Sequence, residues 1–383
     1  MNRDSYYGPG DRDPLDAYGN TTDLNWMAGS QYVYSFGKCI FMPADLTAGI
    51  EFNQDKLEDN MWGYHRTVDQ KVNIGSAFFQ NEWKNEHWGF LIGGRLDKHN
   101  LIDHVIFSPR ANLRYNPTEN INLRFSYSSG FRAPQAFDED LHVENVGGNV
   151  AMVELADNLK EERSQSLSAS ADIYHRFGAF QVNFLVEGFY TKLSDVFALT
   201  DGEVVDGILT RTRYNAPGAR VMGLTLEGKM AYLTKFQVQA GVTLQQSHYS
   251  EPHVWNKEAP AVKKMMRTPN TYGYFTATYT PIKPLSIALS GTYTGSMLVP
   301  HEPVPGFLEK PITVNTKDFF DIGLKAAYDF KLYKSMNLQV NAGVQNIFNA
   351  YQNDFDKGAD RDSGYIYGPS LPRSFFAGVK ISY

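Results

Sequence analysis

The chain has 383 residues, with 36 Lys and Arg against 42 Asp and Glu, for a formal net charge of −6. That balance argues against a nucleic-acid-binding surface, and a single cysteine, Cys39, excludes an internal disulfide framework. No apolar run approaches the roughly 18 residues of a membrane-spanning helix, but the exclusion does not extend to membrane strands, which show lipid only every second residue.

Residues 1–28 are rich in Asp, Gly, Asn and Pro and read as a loop, the remnant of an extracellular one. The opening Met1–Tyr7 carries neither the apolar core nor the cleavage site of a secretory signal. Alternating stretches follow near 29–41, 45–54, 72–83, 87–96, 104–115, 121–130, 164–176, 179–191, 210–232, 235–248, 270–280, 284–296, 317–330, 336–349 and 373–383. These make about fifteen strands, and no amphipathic helix competes with them.

The connections sort by length. Short ones fall at 42–44, 84–86, 116–120, 176–178, 233–234, 281–283 and 331–335, and long ones near 55–71, 131–163, 192–209, 249–269, 297–316 and 350–372. Tight turns at one end and long loops at the other mark an outer-membrane barrel, with periplasmic turns and extracellular loops. The faces agree. Phe236, Val238, Ala240, Val242 and Leu244 alternate with Gln237, Gln239, Gly241, Thr243 and Gln245. An aliphatic row beside a Gln/Thr/Gly row suits a lipid wall around a wet lumen. A soluble sandwich would carry more Lys and Glu on its polar face. The expected fold is all-β, an antiparallel transmembrane barrel, with residues 29–383 as its C-terminal portion.

Strand direction adds a parity argument. If the C-terminus is periplasmic, the last strand runs inward, and counting back through fifteen alternating strands makes the first run inward too. Closing the sheet would pair those two in parallel, whereas single-chain bacterial barrels are antiparallel and even in number. An open edge in lipid costs several kcal/mol per unpaired backbone group. The chain is therefore expected to be the C-terminal part of a larger barrel.

Several motifs resemble TonB-dependent outer-membrane receptors, in the form found in Bacteroidota. They are Gly130–Phe131–Arg132–Ala133–Pro134–Gln135, Asp138–Glu139–Asp140–Leu141–His142, Leu159–Lys160–Glu161–Glu162–Arg163–Ser164 and Val221–Met222–Gly223–Leu224–Thr225–Leu226–Glu227. Gly343–Val344–Gln345–Asn346–Ile347–Phe348–Asn349, Gly368–Pro369–Ser370–Leu371–Pro372–Arg373 and the terminal Tyr383 complete the set. Phe375, Ala377, Val379, Ile381 and Tyr383 share one face of the last strand, resembling the C-terminal signal read by the barrel assembly machinery. The resemblance implies a barrel of about 22 strands around an N-terminal plug. The plug carries the TonB contact, so plug and TonB segment are missing here, as are about seven strands. These residues alone are expected to be incapable of energised transport.

No catalytic motif is present, and the nine His show no zinc spacing, so the chain is not expected to be an enzyme. In haem receptors of this family a His after the Phe–Arg–Ala–Pro segment ligates iron; His142 occupies that place, although Ala156–Asp157–Asn158–Leu159 keeps only part of the motif that follows. A solvated loop His is the competing reading. Arg132 is expected to pair with a carboxylate at the barrel rim. Asp354, Asp356, Asp360 and Asp362 alternate around Gly358, an oxygen-rich spacing that suits Ca²⁺, with Lys357 and Arg361 able to neutralise it. His253, Trp255, His301, Tyr365 and Tyr367 lie on other long loops, as vestibule lining or as an interfacial aromatic belt.

The function expected is import of a scarce metal-bearing nutrient, an iron–siderophore or haem first and cobalamin second. A non-transporting surface adhesin, or a binding partner of a lipoprotein lid, is the alternative from another class.

Overall fold

The computed structural model describes residues 2–6, 18–62, 66–134, 150–200, 203–205, 208–332, 335–358, 361–362, 364–369 and 371–383. The described elements are strands. In chain order they are β1 (Asn2–Tyr6), β2 (Tyr18–Cys39), β3 (Met42–Met61), β4 (Arg66–Lys84), β5 (Trp88–His99), β6 (Ile106–Thr118) and β7 (Ile121–Arg132). Next come β8 (Val150–Leu155), β9 (Glu162–Phe177), β10 (Phe180–Ser194), β11 (Val196–Leu199), β12 (Glu203–Val205), β13 (Ile208–Ala216), β14 (Ala219–Tyr232) and β15 (Phe236–His253). The last are β16 (Val262–Lys264), β17 (Thr271–Ile282), β18 (Leu285–Thr294), β19 (Leu298–His301), β20 (Ile312–Asn315), β21 (Phe319–Lys331), β22 (Asn337–Gln345) and β23 (Ser374–Ser382).

One antiparallel meander forms the wall: β2 to β7, then β9, β10, β14, β15, β17, β18 and β21 to β23, each paired with the next. These correspond to the fifteen alternating stretches of the sequence. Three boundaries differ from expectation; the first is 55–71, expected as a long connection, where β3 runs on to Met61 and β4 begins at Arg66, the two paired up to Met61–Arg66. Residues 18–28, expected as loop, are the outer end of β2, held across from Phe52–Met61 of β3. Their polar side chains suit a strand that rises above the bilayer into water. The stretch 210–232 is two elements, because Pro217 lacks an N–H and Gly218 takes a φ of 120°. Leu193 O closes the space a side chain at Gly218 would need, so β13 leaves the wall and joins a small sheet with β8, β11 and β12.

The two faces follow the period of two. On β15, Val242 and Leu244 are 36% and 48% exposed on the outside, while Thr243 and Ser247 are 6% and 1% exposed. The inner face is hydrogen-bonded across strands: Thr225 meets Thr243 at 3.0 Å, and Arg95 bridges Glu51, Asp97 and Ser76 at 2.7–2.8 Å. An aromatic girdle rings the outer face at the tight-turn end. Trp83 stands opposite Phe90, Trp88 stacks on Tyr115 at 4.2 Å, and Phe180 packs on Tyr232 at 4.7 Å. Phe236 then lies between Tyr232 and Tyr279. Such girdles mark the membrane–water interface.

Both ends of the meander run toward the tight-turn end. Among the described residues, β23 pairs only with β22, and β2 beyond Thr22 pairs only with β3. β1 runs outward and covers the top of β2 over Tyr18–Thr22. The parity argument expects no outward strand before residue 29, but β1 is one; among the described residues it covers only the top of β2 and does not pair with β23.

Candidate functional site

Long loops at the extracellular end build two distinct centres. The first is a cavity of about 510 Å³ between the β7 end, the small loop sheet and the loops after β15 and β19. Arg132 enters it from the end of β7, directly across from Glu162 at the start of β9. Arg211 and Arg213 enter from β13, where their spacing of two puts both on one face. The guanidinium carbons of Arg132 and Arg213 lie 5.6 and 5.8 Å from the Phe197 ring centroid, two cation–π contacts. The Phe197 amide is anchored on Glu162 Oε2 at 3.0 Å. Tyr249, His253, Trp255, Met265 and Met266 also line it, and the indole Nε1 of Trp255 is buried with no hydrogen-bond partner among the described residues. Glu302, which accepts from Asn256 Nδ2 at 2.9 Å, closes the rim.

Among the described residues of its lining, three guanidiniums stand with two carboxylates. Arg presents planar, forked donors that match bidentate oxyanions, and the aromatic wall adds contact area. The lining is therefore suited to a bulky anion with aromatic or apolar parts.

The second centre is a packed plug of loop rather than a cavity. His301 stacks on Tyr365 with centroids 3.8 Å apart and planes within 3°, and its Nε2 lies 2.9 Å from Asp356 Oδ2. Tyr365 and Tyr367 donate to Asp354 at 3.0 and 2.6 Å. Gln352 is buried, accepting from the Tyr367 amide and donating to Tyr365 O. Asp362 accepts from the Glu302 and Gly364 amides, and Arg267 clamps the carbonyls of Ile366 and Gly364. Asn346 starts this loop at a φ of 48°, its side chain bonding Ala350 and the Leu371 carbonyl.

The candidate residues thus divide. Arg132, His253 and Trp255 come together at the cavity. His301, Tyr365 and Tyr367 instead hold one loop to another, and the two tyrosines are only 3% and 8% exposed, so they form neither an interfacial belt nor an open wall. Asp354, Asp356 and Asp362 are hydrogen-bonded to Tyr, His and backbone groups, and among the described residues no group of three or more His, Cys, Asp or Glu is placed to hold a metal ion. Asp360 and His142 lie outside the described residues. Phe375 and Tyr383 sit on the exposed outer face and end of β23. Sequence reasoning missed Arg211, Arg213 and Phe197; the Arg–Thr–Arg alternation was the available signal.

Burial acts to raise the Asp354 carboxyl pKa, but the hydrogen bonds from Tyr367 and Tyr365 outweigh it and hold it below its ordinary 3.8. A depressed carboxyl stabilises the fold above its unfolded value and loses that contribution as pH falls through the folded value. Amide protection across 350–369 is therefore expected to stay flat above about pH 5 and fall below about pH 4. Tyr367→Phe should lower loop stability by about 1 kcal/mol, a hydrogen bond to a charge discounted for the exposure of Asp354. Hydrogen exchange across pH 3–7 checks both.

A tall antiparallel wall with a lipid-facing aliphatic surface, one aromatic girdle and long loops at the far end defines an outer-membrane β-barrel. The model of the TonB-dependent receptor-like β-barrel family matches residues 1–347, and the chain belongs to that family. The chain is similar to the ferric enterobactin receptor of Pseudomonas aeruginosa in complex with enterobactin, at a TM-score of 0.69 and 18% identity, covering 99% of this chain and 58% of that one. It is also similar to the ferric-catecholate import receptor Fiu of Escherichia coli K12, at 0.67 and 14%, over 99% and 59%. The FrpB iron transporter of Neisseria meningitidis gives 0.65 and 16%, over 95% and 55%. The chain thus spans a little over half the length of these solved structures. A comparison with curated proteins finds no match. The family and fold are those of transport receptors rather than enzymes, and they place the protein in the Gram-negative outer membrane.

Proposed function

We propose that these strands form the C-terminal part of a receptor, of the Bacteroidota type by its motifs, that takes up an anionic iron chelate of the siderophore class. Uptake would be driven by TonB through a plug supplied from outside these residues. The observation that carries the reading is the extracellular cavity, where Arg132, Arg211 and Arg213 face Trp255 and Phe197. An uncharged corrinoid makes no use of three guanidiniums, which sets cobalamin behind a ferric chelate. The similar solved structures carry ferric-enterobactin and ferric-catecholate names, which agrees with this substrate class.

The test is binding by the protein purified from outer membranes, with a panel of ferric siderophores, haem and cobalamin. Arg211→Ala with Arg213→Ala is expected to weaken the preferred ferric chelate by roughly 30- to 1,000-fold, two charge-assisted contacts at about 1–2 kcal/mol each. A tighter hold on cobalamin, or full affinity in the double variant, would sink the proposal. Binding of none of the panel would favour the non-transporting surface protein.

A further inference from the structure

The lumen side of the wall carries a second cavity, of about 550 Å³, which shares no lining residue with the arginine cavity. Register fixes its floor. Tyr274 stands opposite Thr292, and Thr292 opposite Asp321; in the next row Thr276 stands opposite Ser290, and Ser290 opposite Gly323. Tyr274 is also opposite Gly241, which alternates in phase with the inward Gln239 and Thr243, so both rows face the lumen. Gln345 of β22 borders the floor beside Gly323. Pro369, Leu371 and Pro372, at the end of the loop before β23, form the remaining wall. That wall is held in place: Asn346 Nδ2 donates to Leu371 O, and the Arg373 amide donates to Asn349 Oδ1, both at 2.9 Å.

Elsewhere on the lumen face, opposed polar side chains satisfy each other. Thr225 meets Thr243 at 3.0 Å, Ser166 meets Thr191 at 2.9 Å, and Asn112 donates to Ser126 at 2.6 Å. Thr276 and Ser290, and Thr292 and Asp321, are opposed in the same way yet are not bonded. Among the described residues, none of these four side chains, nor that of Gln345, has a hydrogen-bond or ion-pair partner. Tyr274 differs, because its hydroxyl donates to Glu227 and accepts from Gln239.

Three hydroxyls, a carboxamide and one carboxylate therefore line this cavity with open hydrogen-bonding capacity, and its described lining holds no cationic group. An anionic chelate is repelled from such a site. A carboxylate accepts two O–H donors at once, while hydroxyls and a carboxamide both donate and accept. The Pro and Leu wall suits the C–H face of a ring. A volume of about 550 Å³ falls among small-molecule pockets, which run from roughly 300 to 1,000 Å³.

We propose that this inner-wall cavity binds a neutral mono- or disaccharide. Adjacent sugar hydroxyls donate to the Asp321 carboxylate, and Ser290, Thr292 and Gln345 take the remaining polar groups. An amine would use the carboxylate and leave the hydroxyls unmatched. The site has its own residues and its own ligand chemistry, so it does not rest on the siderophore reading.

The experiment uses the whole receptor as it exists in outer membranes, extracted in an amine-oxide detergent because a glycosidic detergent would compete. Saturation-transfer NMR and calorimetry are run with glucose, galactose, maltose, N-acetylglucosamine and butylamine. At least one saccharide is expected to bind, and in preference to butylamine. Asp321→Asn keeps the shape and removes the charge, and should weaken that saccharide at least about tenfold, through the lost charge-assisted hydrogen bonds. Gly323→Val should abolish binding by filling the floor; its Cβ meets Ser290 Oγ at 3.4 Å and Val344 O at 3.5 Å, ordinary contacts that leave the strands paired. Resistance of the unheated band to SDS confirms that each variant has folded. Arg211→Ala with Arg213→Ala should leave saccharide binding unchanged. No saccharide binding at tens of millimolar, undiminished binding in Asp321→Asn, loss of binding in the double arginine variant, or preference for butylamine over every saccharide would each overturn the proposal.

Discussion

Gly343→Val is expected to abolish assembly of the last hairpin, so that the protein runs as an unfolded band on unheated gels and is degraded in the cell. Gly343 lies on the lumen face of β22, between β21 and β23. A Cβ there would stand 2.6 Å from the Leu324 carbonyl oxygen and would enter the Phe376 ring. The ring can swing away, but the carbonyl belongs to the ladder with β21 and cannot move without parting strands. Broken ladder bonds in a bilayer have no water to replace them, at several kcal/mol each. Two contrasts make the expectation specific. At Gly291→Ala the nearest atoms are those of the Phe275 ring, and at Gly378→Ala those of the Asn341 side chain, at 3.3 Å. Both should fold, with losses near 1 kcal/mol or less. Normal heat-modifiable bands for all three variants would show that the last hairpin tolerates separation.

His301→Leu is expected to release two long loops from each other. His301 belongs to the hairpin β19–β20, and Asp356 and Tyr365 belong to the long loop after β22. The side chains of His301 and Asp356 are 6% and 3% exposed. Removing the imidazole leaves a buried carboxylate supported by little besides the Asp362 amide at 3.2 Å. Orphaning one partner of a buried polar pair of this kind costs about 3 kcal/mol. Local opening governs exchange here, so amide protection at Val299, Tyr365 and Tyr367 should fall by roughly 100-fold or more. Strands of the wall should be unaffected. His301→Gln keeps a donor and should lose much less. Because Pro300 and Glu302 line the arginine cavity, the Leu variant should also weaken ligand binding, through a rim that no longer holds its place. Unchanged exchange in the Leu variant would mean that the stack and its carboxylate do not join the loops.

Much of this protein was legible from residues i and i+2 alone. Val238, Ala240, Val242 and Leu244 against Gln239, Gly241, Thr243 and Gln245 told lipid from lumen before any strand was paired. Strand alternation is local, and a one-residue slip would turn every aliphatic side chain inward, so the pattern fixes register as well as fold. Polar Tyr18–Ala28 was misjudged because strand above the bilayer is wetted on both faces and loses the alternation that betrays it. The stretch 210–232 was merged because Pro217–Gly218 interrupts it at a single step.

The loops were less legible. Nothing near His301 announces Asp356 and Tyr365 more than fifty residues on, and nothing near Arg132 announces Arg213.

Sequence by itself determined the wall: its strand number, its two faces, its turn end and its loop end. All of these rest on contacts a strand makes with its immediate neighbours and with solvent or lipid. The tertiary structure alone decided which loop residues meet, and that Arg132, Arg211 and Arg213 share one cavity while His301 and Asp354 serve as fasteners. Those outcomes depend on how a curved sheet brings distant connections together, and that curvature is a property of the whole sheet.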